Sequence, residues 1–425
     1  MLSKIKMWQI LVGILCAIFI FRLTFIFKIY ALMIYLLMKC FTTGNNYFAL
    51  VEPNIIDHFI SVVCIVIFIG VLILSKKLKK IFNANIHIAS ITLSVIIIVS
   101  IFAPLITTQN PEFQKDISVT KLLPPFSVVQ YVELNEGNDQ SDDNFVLKNK
   151  IKDIIPGSFN NAVVFFDSCR IADKFYFYQS GMQNQIELIR LKNEAGQPEI
   201  KSKMYLLGSD EYGRDVFSRI IYGSRISLLV GFFAVIISLF LGLTLAFWAA
   251  EKGGIVNLIL SRLTDLFLTL PSIFLVILIL ALFGNNLISI IVVLGFSGWM
   301  SLFKVAKSEI SSIKTKEYYL SAKLLGINNF NLLTKEILPV ILIPVLVSLV
   351  FQFSNVILAE SALSFLGLGT GNNYPSWGSM IESGQRYISM SWWLIVIPGF
   401  VLVITLLSIN DIGRRINKKI NPTFN

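Results

Sequence analysis

Histidine, cysteine and charge are all scarce in this chain of 425 residues. It has 2 histidines and 4 cysteines, and Asp, Glu, Lys and Arg together make up only 15%. His58 and His87 each stand at the edge of an apolar run, where interfacial filling is a plainer role than ligation or base catalysis. Cys16, Cys40 and Cys64 fall in or beside apolar stretches and Cys169 lies alone in a polar region, so neither a disulfide framework nor paired zinc-binding cysteines can be read. A Ser/His/Asp hydrolase or a zinc hydrolase therefore lacks its parts. There is no Gly-x-x-x-x-Gly-Lys-Ser/Thr run, so the chain does not cradle nucleotide phosphates itself. No cleavable leader is expected, because the N-terminus carrying Lys4 and Lys6 stays apolar too long and offers no small-residue cleavage site.

What is abundant is apolar surface. Hydrophobic residues make up 55%, and the mean hydropathy is +0.72, beyond what a soluble domain carries without exposing apolar patches. The formal net charge is +10, yet the basic residues sit at the ends of apolar runs and form no stripe with interleaved aromatics, so no nucleic acid partner is expected. A membrane span needs about 20 mostly apolar residues. Such segments fall near 58–75, 86–106, 226–250, 263–283, 287–306, 339–360 and 392–410. One more lies within 8–38, where Arg22 and Lys28 interrupt it, which gives eight spans or an interfacial helix followed by a shorter span.

Lys76, Lys77, Lys79, Lys80, Lys252, Arg262, Lys304 to Lys335 and Arg414 to Lys419 mark alternate loops as cytoplasmic, with both termini on that side. Residues 107–225 are then extracytoplasmic. There "FSVVQYVEL", "NAVVFFDS", "KFYFYQSG" and "IELIRL" read as short strands of a small β-rich domain, with a hairpin between Tyr176 and Leu191 around "SGMQNQ". The expected fold is an all-α polytopic membrane protein with a β-rich extracytoplasmic insert.

"EYYLSAKLLGINNFNLLTKEILP", Glu317 to Pro339, is a charged interruption between two spans. Thr315 is a candidate N-cap and Glu317 suits a first helical turn. Gly326 can end the helix in the left-handed region, and Asn328 can cap a second short helix that ends as Pro339 enters the next span. Apolar Leu324, Leu325 and Ile327 on the cytoplasmic side suggest a protein contact, where a mere connector would need none.

This segment resembles the EAA loop of ABC importer permeases, Glu-Ala-Ala, three residues, Gly, then Leu-Pro: Ala322, Gly326, Leu338 and Pro339 match in spacing, while Leu320 and Ser321 stand where the family often has Glu and the first Ala. "LGSDEYGRDVFSRIIYGSRISLLVG" and "ILAESALSFLGLGTGNNYPSWGSMI" are similar to segments of the C-type permease subunits for dipeptides, oligopeptides and nickel. The resemblance covers residues 204–415 closely and 86–126 loosely, leaving 1–80 and 127–203 outside it. It implies a type I importer permease in the bacterial inner membrane, with an extension at 1–80, a first family helix at 81–106, an extracytoplasmic region at 107–223 and a core at 224–425 that carries the coupling loop 308–339. It further implies a heterodimer with a homologous B-type permease, two cytoplasmic ABC ATPase subunits that use the ATP, an extracytoplasmic solute-binding protein and surrounding lipid. The chain itself would bind no cofactor or metal and catalyse nothing. Peptides are the expected cargo, with nickel or a peptide-like antibiotic as alternatives. A secondary transporter acting alone, or a membrane scaffold, are the readings from other classes; the first would need ionisable groups at mid-membrane.

Within that frame Glu317, Ser321, Ala322, Gly326, Leu338 and Pro339 are expected to form the ATPase-coupling loop. Gly208, Asp210, Gly213, Arg214, Asp215 and Arg219 are expected to form a turn and an amphipathic scaffold helix along the outer membrane surface, with a carboxylate-built substrate or metal site as the sharper alternative. Glu360 is either a lining group of the translocation path or a structural hydrogen-bond acceptor. Pro271 should kink its span, Arg262 should pair with Asp265, and Gly367, Gly369 and Gly371 describe an irregular loop dipping toward the pore.

Overall fold

A computed structural model describes residues 7–43, 53–74, 87–107, 109–134, 163–194, 197–369 and 374–420. Lys76 to Lys80 and Gly371, used above for orientation and loop shape, lie outside the described residues, as does part of the insert. The chain divides into two compact units, one comprising 1–87, 94–224 and 383–397, the other 88–93, 225–382 and 398–425.

The first unit starts with α1 (Met7–Phe21), α2 (Leu23–Thr43) and α3 (Pro53–Leu74). α1 and α2 are bent by 71° at Arg22. At the bend sits a long-range cap. After α4 (Ile88–Ile101) comes the single turn α5 (Ala103–Ile106), and the Arg22 guanidinium donates to the carbonyls of Leu105 at 2.8 Å, Thr107 at 3.3 Å and Ile106 at 3.4 Å. Carbonyls at a helix end have no intrahelical partner, so a cation there satisfies them and suits the helix dipole. Leu15, Ile29, Leu36, Ile65 and Leu105 close the apolar seam of this bundle.

Beyond the turn α6 (Ile117–Thr120) the insert is β-rich as expected: β1 (Ser127–Glu133), β2 (Val163–Phe166), β3 (Ser168–Ile171), β4 (Phe175–Gln179), β5 (Met182–Ile186), β6 (Asn193–Glu194), β7 (Gln197–Pro198) and β8 (Ile200–Tyr205). All pairings are antiparallel, giving sheets of order β2-β1-β8 and β3-β4-β5 and a small β6-β7 ribbon. Alternating Phe175 and Phe177 of β4 meet Phe166 and Val132 in a shared aromatic core. The hairpin is tighter than expected. Its corner is Ser180-Gly181 alone, both at positive φ, which is the twist a two-residue turn needs, so "MQNQI" is strand. The "LIR" of the last predicted run is a 3-10 turn.

The helices that follow are α7 (Val216–Lys252), α8 (Gly254–Thr269), α9 (Ser272–Phe283), α10 (Leu287–Lys314), α11 (Glu317–Leu324), α12 (Asn329–Asn331), a π-helical turn (Leu332–Ile337), α13 (Leu338–Phe365), α14 (Trp377–Gln385) and α15 (Trp393–Ile420). Among the described residues four helices are long and apolar enough to cross a membrane, or up to six if each of two bent pairs counts as one span; Asp57–Gly70 and Ile88–Ile101 are shorter apolar helices. Two expectations are corrected. There is no separate scaffold helix before the span at 226–250, because nothing between Val216 and Lys252 breaks the ladder and α7 runs on for 37 residues, about 55 Å. The span at 263–283 is more than kinked: α8 and α9 meet at 92° across Leu270-Pro271. Within the second unit, α7, α10 and α13 pack through Leu302, Phe303, Trp299 and Ala246 at one end and Val230, Leu294 and Leu363 at the other. Small residues let the backbones approach: a Cβ on Gly295 would lie 2.7 Å from Ile237 Cβ.

Candidate functional site

The segment from Glu317 folds into a corner. Thr315 is not its cap; that hydroxyl donates to Ser312 O and closes α10, and Lys316 starts α11 without a side-chain cap. α11 ends in a Schellman turn, with Gly326 at φ +76°, its N–H bonded to Lys323 O at 3.1 Å and that of Ile327 bonded to Ala322 O at 3.4 Å. The chain restarts at Asn329, with Leu332 N–H on Asn328 O. The second helix is not short: it passes Pro339 into α13. Proline has no N–H and its ring crowds the carbonyl four residues back, and the ladder just before it widens, Leu338 N–H bonding to Leu333 O.

One face of the corner is anchored. Tyr319 is buried among Ile310, Ile313, Leu332 and Ile337, with Ala322 packed beside it. Glu251, at the end of α7, accepts from Lys314 Nζ at 3.1 Å and from Asn329 Nδ2, and Lys314 also donates to Ala250 O at 2.6 Å. The other face is bare: Leu324 is 88% and Leu325 81% exposed, and Glu317, Ser321 and Pro339 are exposed as well. Leu338 is half-buried against the anchored core.

The "GSDEYGRD" turn is built as a closed ion-pair knot. Asp210 accepts from the N–H groups of Tyr212 and Arg214 at 2.9 Å and from Arg214 Nε at 2.7 Å. Glu112 bridges Arg214 at 3.0 Å and Arg219 at 2.9 Å. Asp215 caps α7, accepting from Ser218 N–H at 2.9 Å and its hydroxyl at 2.6 Å. Gly208 and Gly213 both hold positive φ, and a Cβ on Gly208 would stand 2.5 Å from Leu123 O. Arg219 is 4% exposed, packed into the knot by its pairing with Glu112. Asp210 and its neighbouring Coulombic partner Glu112 hold the Arg214 guanidinium above its ordinary pKa against the opposing cost of burial. Asp210 and Glu112 are taken up by arginines and Asp215 by Ser218, and among the described residues no group of His, Cys, Asp and Glu could hold a metal ion. Sequence reasoning missed Glu112, whose only signal was a lone acid beside Pro111.

Glu360, 0% exposed, sits in a box of serines. Its carboxylate accepts from Ser364 at 2.8 Å, Ser227 at 3.2 Å and Ser361 at 3.4 Å, and from Ser376. Ser227 also receives the N–H of fully buried Trp377 at 3.5 Å. Asp265 pairs with Lys304 at 2.8 Å where Arg262 was expected; α10 lies against α8 and brings the ammonium to it.

A cavity of about 530 Å³ opens beside the Leu270-Pro271 break, walled by α8 to α10 and α13. Its polar lining is uncharged, including Ser297, Ser301, Ser348, Gln352 and Asn355, and Glu360 is not part of it. Of this wall only Pro271 stood out in the sequence, because Ser, Gln and Asn inside apolar runs carry no spacing signature.

Residues 238–424 match the family described as binding-protein-dependent transport system inner membrane component. The dipeptide transport system permease protein of Alkalihalophilus pseudofirmus is 34% identical over 54% of this chain and 76% of its own length. That of Bacillus subtilis is 36% identical over 51% of this chain and 68% of its length. The oligopeptide transport system permease protein of Escherichia coli is 33% identical over 53% and 74%. Among solved structures, an amino acid ABC transporter crystallised with histidines aligns over 48% of this chain and 94% of its own at 16% identity, with a TM-score of 0.39.

Proposed function

Because this chain belongs to the family of binding-protein-dependent transport system inner-membrane components, we propose that it is the permease subunit of an ATP-driven importer of di- or oligopeptides. It is a multi-pass membrane protein whose partners would be a homologous permease, two cytoplasmic ATPases and an extracytoplasmic binding protein. Peptide cargo is the activity in the names of its relatives.

The observation that carries the reading is the corner at Gly326. Two bare leucines at its tip suit a groove on a protein partner. The Glu251, Lys314 and Asn329 brace ties the tip to the ends of α7 and α10, so a push on the tip moves spans with little local give. An ATPase dimer that binds the two membrane conformations unequally would bias their equilibrium through this contact. Lysines crowding the segment support a cytoplasmic position. The GSDEYGRD knot then fixes the entry to α7, and the Glu360 box fastens the Trp377 turn to α7 and α13. The test is a cysteine at Leu324 or Leu325 in cells carrying the whole operon. Disulfide or bifunctional crosslinks should capture an ATP-hydrolysing subunit, and their yield should change with bound nucleotide. Crosslinks that never recover such a subunit would remove the basis of this reading.

A further inference from the structure

The first two helices part where the chain meets the edge of the membrane. α1 has 15 residues and no charge among them, while α2 carries Lys28 and Lys39 among its 21. They meet at 71°, too sharp for one continuous span. Arg22 at the break donates to the carbonyls of Leu105, Ile106 and Thr107, and at Thr107 the apolar run from Ile88 gives way to the polar approach to the insert. Arg22 therefore stands at the membrane edge on the insert's side. α1 is the span that reaches this edge: its helix of about 22 Å is bracketed by Lys6 and Arg22, whose long side chains make up the missing length.

Between Arg22 and Thr107 run α2, α3 and α4. Both ends of this stretch lie at the same edge, so an even number of its helices crosses, and one of the three does not. α4 with the turn α5 has no charge from Ile88 to Ile106, and α3 has Asp57 and His58 only near its start. α2 is the one with lysines along its length, and its surface divides in three. Ile26, Ile29, Leu32 and Leu36 are buried in the bundle seam. Leu23, Phe27, Tyr30 and Ile34 make an apolar stripe, each between 36% and 66% exposed. Thr24, Lys28 and Ala31 make a third exposed stripe, about a quarter-turn away from the second. A span would hold Lys28 among acyl chains, whereas a helix lying flat sets one stripe down into the acyl boundary and turns the other toward headgroups and water. Tyr30 suits that depth.

Resting on the reading of this chain as a multi-pass permease, we propose that α2 lies in the plane of the membrane on the insert's side, with Leu23, Phe27, Tyr30 and Ile34 docked on the acyl boundary of the lipid and Lys28 among the headgroups. The alternative read from the sequence, an interfacial helix followed by a span, is thus reversed in order. The extension then crosses twice, through α1 and α3, and Lys4, Lys6 and Lys76 to Lys80 fall together on the opposite, cytoplasmic side.

The experiment uses the complete transporter in lipid vesicles, with Cys16, Cys40, Cys64 and Cys169 replaced by alanine and a nitroxide label on Leu23→Cys, Phe27→Cys, Lys28→Cys, Tyr30→Cys or Ile34→Cys. All five positions are exposed, so the label displaces no packed side chain. Collision rates with oxygen and with a water-soluble nickel chelate should place the labels at 23, 27, 30 and 34 at one common depth, about 5–10 Å into the headgroup and acyl boundary, and the label at 28 should meet the nickel chelate several-fold more often. A depth that changes by about 16 Å from Leu23 to Ile34, as the helical rise of a span requires, overturns the proposal and leaves the permease reading standing. Weak collision with both agents along the stripe overturns it too, because protein then covers the face. Orientation is read separately in spheroplasts with a membrane-impermeant thiol reagent. Gln183→Cys on the exposed β5 should react in intact spheroplasts, and Leu324→Cys only after lysis. The reverse pattern overturns the permease reading, and with it the cytoplasmic side given to the lysines.

Discussion

Lys203 stands in a setting its charge tolerates poorly. On β8 it points to the same face as Tyr205, with Nζ 3.9 Å from that ring's centre and within 5.7 Å of those of Phe113 and Phe165. Among the described residues it has no hydrogen-bond partner. Cation–π attraction offsets part of the lost hydration, and Asp215 pulls in the same direction, yet burial pushes the pKa down to about 7 from an ordinary 10.5. The sign of the consequence follows from proton counting. Between pH 7 and 10.5 the unfolded chain holds a proton that the folded one has released, so stability rises with pH across that window; below 7 both hold it and the penalty is constant. The slope is at most about 1.4 kcal/mol per pH unit. Hydrogen exchange in β1 and β8, corrected for its intrinsic pH dependence, should show protection growing from pH 7 to 9, and Lys203→Met should flatten it. An identical profile in that variant would mean the ammonium is better solvated than its surroundings indicate.

Among the elements, the corner was legible before the structure because its signals are local. A helix-favouring run, a single Gly and an Asn two positions on leave few other shapes, and the Schellman bonds at Gly326 answer to that reading. The insert was legible for the same reason, since period-2 aromatics between turn residues specify strands. What could not be read depended on residues far apart in the chain. Glu112 joins a knot 102 residues away, Lys304 outcompetes Arg262 for Asp265, and the 92° break at Pro271 exceeds what proline alone dictates. Gly326→Val tests the corner as an element. A β-branched residue at φ +76° is strained by roughly 1–2 kcal/mol, while open space around the Cβ position rules out a packing clash. The variant should insert normally, keep the Tyr319 core, and lose both peptide uptake and ATPase association several-fold. Unchanged uptake would show that the angle of the corner does not matter to transport.

At the scale of the molecule the question is where the driving force enters. A carrier that spends an ion gradient needs a titratable or cation-coordinating group reachable from both sides at mid-membrane. Here the buried acid of α13 is held by four serine hydroxyls, and the cavity nearby has no ionisable lining. In the proposed reading, force supplied from outside the chain would be applied instead at the exposed Leu324 and Leu325. The two alternatives separate cleanly in vesicles holding the whole transporter with ATP enclosed on the side of the corner. Uptake of trialanine should stop when ATP is replaced by a non-hydrolysable analogue and should persist when ionophores collapse proton and sodium gradients. Uptake that survives without hydrolysis and vanishes with the gradients would identify a carrier, and the corner would then need a different explanation from the one its geometry favours.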